Sequence, residues 1–272
     1  MLDGPGLYRY ALLLAVCTLL LLMTGAAITD YDGGPQPPAL VTQGHEWVAA
    51  LVGILTIGLA VLLSQSEQPG WLKRLGWISV MVFLGGGALG TRSLLLALPR
   101  TVSIFHAFLA QLFFACTVAI SVFTSRDWGR GVDPVKDQGW PSLRSLSAFA
   151  LFLVLLQVWL GAAFRHQAAG LMPHMAGAII VALVVLILCM FVMQQFPEHR
   201  SLRPAANVLL TFVVVQVVFG IAALTARMMT ADNTLTTPLM LTTVAHVAMG
   251  AVTLAGTVAL VIQIRRNVNA AP

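Results

Sequence analysis

Charge is what this sequence has least of: 9% of its 272 residues are Asp, Glu, Lys or Arg. A soluble domain of this length carries about 25%, so too few charges are present to cover a water-facing surface, and a soluble globular protein is excluded. Cysteine is scarce as well. Cys17, Cys116 and Cys189 lie inside apolar stretches with no CxxC or Cys/His spacing, which argues against a zinc site or a disulfide framework. A nucleic-acid-binding stripe is also lacking, because the fifteen Lys and Arg are dispersed. What the chain has in abundance is apolar length: 58% of residues are hydrophobic and the mean hydropathy is +0.89.

A membrane-spanning helix needs about 20 mostly apolar residues. Eight such stretches are expected, over 7–28, 45–63, 72–96, 102–123, 146–164, 173–194, 205–228 and 239–264. The breaks between them carry Pro and Gly, as at Pro69-Gly70, Pro99, Pro141, Pro197 and Pro238. The first stretch reads as a retained helix, since no small-residue cleavage motif follows a short apolar core. The fold class expected is thus all-α and integral to the lipid bilayer. Eleven of the fifteen basic residues fall on the face that holds both termini, among them Lys73, Arg74, Arg126, Arg130, Arg265 and Arg266. Arg92, Arg100, Arg165 and Arg227 fall opposite. By the positive-inside rule both termini are cytoplasmic, in a cell (inner) membrane.

The longest polar loop, 124–145, stands near the chain's midpoint and suggests a duplication. Residues 85–92 (GGGALGTR) align with 220–227 (GIAALTAR), and 157–163 (QVWLGAA) resembles 216–222 (QVVFGIA). Two four-helix repeats, 1–124 and 146–272, would share one orientation because four spans is an even number. A cytoplasmic linker, 125–145, joins them.

The histidines carry the chemistry. His45 and His174 open the second and sixth spans; His106 and His246 stand one and two turns into the fourth and eighth. They match pairwise under the repeat, all in the outer half of the membrane, where ionisable side chains are costly and face a functional interior. Two imidazoles facing each other at one depth are the axial donor set of a six-coordinate haem. Small residues around them, such as Gly44, Gly53, Gly177 and Gly250, suit a flat macrocycle but equally suit close helix packing. Arg92, Arg227 and Arg165 end odd-numbered spans on the same side, where a guanidinium suits a haem propionate or simply snorkels to the interface. His166 and His199 read as span-end and solvated residues.

With four histidines at these positions and the segments 44–53 (GHEWVAALVG), 103–110 (SIFHAFLA), 174–178 (HMAGA) and 245–250 (AHVAMG), the chain resembles the haem A synthase family along essentially its whole length. That resemblance implies oxidation of the C8 methyl of haem O to the formyl of haem A. It implies a haem b cofactor on His174 and His246, and a second haem, the substrate (haem O or A, or another b), flanked by His45 and His106. Partners implied are the haem substrate, a quinol or other electron donor, and a respiratory complex or haem O synthase. The first half departs from the family pattern. Thr42 stands one turn before His45 where the family has Glu, and Glu46 follows it where the family has Arg. Loop 29–44 lacks the family's cysteine pair, and Thr29-Asp30 replaces an Arg. Glu46 is the candidate replacement for the missing carboxylate, although it points about 100° round the helix from His45. Two other readings remain open: a non-catalytic b-type membrane cytochrome passing electrons in a respiratory complex, and a transporter or assembly factor without haem.

Overall fold

The computed structural model describes residues 4–31, 36–91, 99–137, 140–231 and 234–269. Among them, eight helices are long and apolar enough to cross a membrane: α1 (Gly4–Thr29), α2 (Ala39–Gln65), α3 (Gly70–Leu89), α4 (Arg100–Phe123), α5 (Leu143–Arg165), α6 (Leu171–Gln195), α7 (Leu202–Met228) and α8 (Thr237–Asn267). The chain is therefore an all-helical, multi-pass membrane protein. Proline sets three of the starts: Pro38, Pro69 and Pro99 precede α2, α3 and α4, and their carbonyls accept the first turn's amides, Val41, Leu72 and Val102, each at 2.9 Å. Most helices extend a turn or less beyond the apolar runs. α3 instead ends at Leu89, where Gly90 N–H bonds back to the carbonyls of Gly86 and Gly87.

The helices are apolar on every side, as expected where lipid replaces water. Ile179, Ile180, Leu183 and Ile187 of α6 and Val214, Val218 and Ile221 of α7 form outward faces. Buried hydroxyls are satisfied within their own helices: Thr18 donates to the Leu14 carbonyl at 2.8 Å, Thr56 to Val52 at 2.6 Å and Thr257 to Thr253 at 2.8 Å.

Within each half, sequential helices pack together and the last closes on the first, α4 on α1 and α8 on α5. One core joins Leu7, Leu14, Val52, Leu59, Phe113 and Ile120 of the first half; another joins Val154, Leu188, Leu209 and Leu260 of the second. The halves meet where α8 crosses α1 and α4, around Ala15, Leu22, Phe114, Ala251 and Ala255, and where α4 meets α5 around Ile104, Ala162 and Ala163.

The linker is tied to the C-terminal end. Val135–Lys136 (β1) pairs in parallel with Val268–Asn269 (β2), and Arg144 donates to the carbonyls of Val268 (2.8 Å) and Arg265 (3.1 Å). His199 is part of this knot, and here the structure corrects the sequence reading. It is 6% exposed rather than solvated. Its Nδ1 accepts from the amides of Ser201 (3.1 Å) and Leu202 (3.2 Å) at the start of α7, and its Nε2 donates to the Asp133 carbonyl at 3.0 Å. A helix start beside a polar loop leaves amides that need an acceptor, and the imidazole supplies it.

Candidate functional site

In an antiparallel bundle, even-numbered helices all begin on one side. His45 is the seventh residue of α2, His106 the seventh of α4, His174 the fourth of α6 and His246 the tenth of α8. All four therefore stand toward the same end of the molecule, one pair in each half.

In the first half, His45 Nδ1 lies 2.9 Å from Thr24 Oγ1 of α1, and His106 Nδ1 lies 2.8 Å from the carbonyl of Gly86 in α3. Each ring rests on a glycine, Gly25 of α1 under His45 and Gly90, just past the end of α3, under His106. Gly85, which aligns with Gly220 in sequence, faces open space. The spatial counterpart of Gly220 is Gly90, because each supports the histidine of the next helix.

The second half repeats the arrangement. His174 lies on Gly161 of α5 and His246 on Gly220 of α7. Their rings stand 6.1 Å apart, centroid to centroid, at an interplanar angle of 87°. Phe164 lies parallel to His174 at 6.4 Å. Two glutamines flank the pair. Gln157 Nε2 contacts His174 Nδ1 at 2.9 Å and donates to the His174 carbonyl at 2.8 Å, while Gln216 Nε2 is 3.5 Å from His246 Nε2. Gly177 and Gly250 leave the space these amides occupy: a Cβ on Gly177 would overlap Gln157 Oε1, and one on Gly250 would lie 3.3 Å from Gln216 Nε2. Gln157 Oε1, Gln216 Oε1 and His246 Nδ1 are buried with no hydrogen-bond partner. Each half thus presents two imidazoles, and no cluster of three or more His, Cys, Asp or Glu side chains suited to a metal occurs among the described residues. Neither glutamine stood out as a site residue in the sequence, although the shared spacing Gln-x-x-x-Gly at 157–161 and 216–220 was a visible signal.

The remaining candidates are scattered. Arg92 lies outside the described residues. Arg227 is exposed at the end of α7. Arg165 is engaged: Nη2 donates to Asp30 Oδ1 at 3.0 Å and to the Ala26 carbonyl at 2.8 Å, and Thr243 of α8 donates to Asp30 Oδ2 at 2.7 Å. This ion pair joins the halves one turn from His246. Sequence reasoning missed it, since 135 residues separate its members. Glu46 is exposed beside the exposed Trp47, on a different face of α2 from the half-buried His45.

These features define a polytopic membrane protein with paired histidines at one end of each half. Compared with known proteins, the chain is similar to a haem A synthase of Shouchella clausii (strain KSM-K16), 21% identical over 80% of this chain and 86% of that one. No protein-family model matches the chain.

Proposed function

We propose that the chain is a membrane haem protein of the haem A synthase type. The observation that carries this reading is the His174–His246 pair. At a centroid separation of 6.1 Å the two imidazoles are close enough to serve one metal with metal–nitrogen distances of about 2.0 Å. His174 and His246 would hold the group, and two imidazoles are a donor set that fits a haem. The buried His246 Nδ1 and the two glutamine carbonyls without partners fit a site whose hydrogen bonding completes when a ligand fixes the rings.

In this reading the second half, 146–272, holds haem b on His174 and His246, with Phe164 packed on the His174 ring. The first half, 1–124, receives the substrate haem between His45 and His106. Arg227 meets a propionate at the membrane surface, the role the sequence reading also gives Arg92. Arg165 is the charge that ties the halves beside His246. When bound, the second-half haem supplies one-electron chemistry, and the electrons are exchanged with a quinol or other membrane carrier. The protein's own part is to orient the substrate edge and exclude water while the methyl is oxidised to the formyl. The basic bias puts both termini on the cytoplasmic side of the inner membrane. It leaves the histidines toward the outer face, where a haem O synthase or respiratory complex would exchange haem.

One observation favours the second reading, a non-catalytic b-type cytochrome. Among the described residues, no carboxylate stands ready at the first-half pair: Glu46 is exposed, and Asp30 is held by Arg165 and Thr243. A general acid or base must reach the reacting group.

The test is a reduced-minus-oxidised spectrum of the purified protein with its haem extracted and identified, before and after supply of haem O and oxygen. Extractable haem b, lost in His174→Ala and His246→Ala, together with conversion of haem O, is the expected result. A colourless protein overturns the haem reading. Full haem b in both variants overturns the ligand assignment. Bound haem b with haem O unchanged leaves the cytochrome.

A further inference from the structure

At the end of the bundle opposite the histidines, where the odd-numbered helices begin, a groove of about 530 Å³ runs between α2 and α3. Its size falls within the range of about 300–1,000 Å³ typical of small-molecule sites. Ser64 of α2 and Lys73, Arg74, Trp77, Ile78 and Met81 of α3 line it. Trp77, Ile78 and Met81 are exposed, so the groove opens to the side that lipid covers. Arg74 and Met81 are seven residues apart in α3, about 10 Å along a helix. The lining thus passes from two cations near the start of a membrane span to apolar side chains at the depth of the acyl chains.

The polar end of the groove is built, and its charge is not balanced by protein. Ser64 Oγ donates to the Ala60 carbonyl at 2.8 Å and accepts from Trp77 Nε1 at 3.0 Å, which fixes the indole against the last turns of α2. Lys73 Nζ donates to the Ser64 carbonyl at 3.3 Å, so two of its three N–H groups stay free for another acceptor. Arg74 is exposed and makes no hydrogen bond or ion pair among the described residues. Glu67, in the connection between α2 and α3, pairs with neither cation. The corresponding connection of the second half is different. There Arg200 Nη2 donates to the Gly131 carbonyl at 3.1 Å and Arg200 Nε lies 3.9 Å from Asp133, while Arg203 Nη1 donates to the Pro197 carbonyl at 2.7 Å and lies 3.8 Å from Glu198. A general excess of basic residues at this end puts cations at both connections. Only the first-half pair combines a groove with cations that have no acidic partner among the described residues.

We propose that this groove binds one anionic phospholipid, its phosphate on Lys73 and Arg74 and the upper part of an acyl chain along Trp77, Ile78 and Met81. Basic pockets between membrane helices take anionic head groups in this way, and an ammonium and a guanidinium both make charge-assisted hydrogen bonds to phosphate. The lining also separates the candidate occupants. Phosphatidylcholine has the phosphate and the chains, but its choline brings a third positive charge to the two already there. Free phosphate has the charge but nothing to cover the apolar wall. The proposal does not depend on the haem reading, because no histidine takes part in it.

The test is native mass spectrometry of the full-length protein, released from mixed micelles holding equal amounts of phosphatidylglycerol and phosphatidylcholine. One phosphatidylglycerol should stay bound in preference to phosphatidylcholine. Each cation should contribute about fivefold to that preference, so Lys73→Gln and Arg74→Gln each lower it about fivefold and the double variant about 25-fold. The charge-keeping double variant Lys73→Arg/Arg74→Lys should retain it, which separates lost charge from a damaged fold. Loss there as well overturns the proposal. Arg130→Gln/Lys136→Gln removes two exposed charges of the linker at the same end. An equal loss of preference in that variant means a general surface field and overturns the site. Displacement of the lipid by inorganic phosphate at matched ionic strength overturns the lipid as occupant. Finally, phosphatidylglycerol carrying a diazirine near the head of one acyl chain should label the segment 77–81 of the wild-type protein. Labelling spread evenly over the lipid-facing helices refutes a defined site.

Discussion

His199 sits in the polar run Pro197-Glu198-His199-Arg200, where composition suggests a solvated connection, yet both of its ring nitrogens are used inside the linker knot. Capping interactions of this kind contribute about 0.5–2 kcal/mol. His199→Ala should therefore lower the unfolding temperature in detergent by an amount matching about 1 kcal/mol, and His199→Asn, whose side-chain oxygen can accept one of the two amides, should recover part of it. Equal losses in the two variants would rule out the cap. The four candidate histidines stand out in the sequence because ionisable residues in long apolar runs are conspicuous. Gln157 and Gln216 were legible only as a repeated spacing. Neither composition nor period says which ring a glutamine on the neighbouring helix will touch, because that depends on the rotation of two helices about their axes.

At the scale of elements, the eight spans could be read because length and hydropathy are properties of contiguous residues. Pairings between helices could not, since outward and inward faces are equally apolar and the usual one-sided stripe is missing. Glycines decide several of these pairings, and sequence does not tell which. Gly76 of α3 is pressed against α2, where an added Cβ would stand 2.8 Å from Leu63 Cδ1 and 3.3 Å from Ala60 Cα, both on fully buried residues. Gly85, about two and a half turns further along the same helix, has open space. Gly76→Ala should accordingly destabilise by about 1–3 kcal/mol through overpacking. Gly85→Ala should be neutral or stabilising by about 0.5–1 kcal/mol through helix propensity. Thermal unfolding of both variants in one detergent checks the contrast, and equal effects would contradict the α2–α3 contact.

For the whole molecule, the decisive question is what makes two four-helix halves one body. Alanines together with Leu22, Ile104 and Phe114 line their interface, and in lipid such contacts hold by packing alone. The Asp30–Arg165 ion pair adds a specific tie: Asp30 directly follows α1, Arg165 ends α5, and Thr243 brings in α8 as a third partner. The side chains are 8% and 19% exposed, so removing one charge leaves the other stranded, at a cost of up to about 3–5 kcal/mol. Removing both should be far milder, because two desolvated charges are replaced by apolar volume. Asp30→Leu and Arg165→Met should each lower the unfolding temperature strongly, and the double variant should return most of the way to wild type. Additive losses would mean that the pair does not couple the halves. Because Thr243 lies one turn before His246, the single variants should also disturb the spectrum of a metal held by the second-half pair more than that of one held by the first. That asymmetry would separate a tie acting on α8 from a general loosening of the bundle, which would disturb both sites alike.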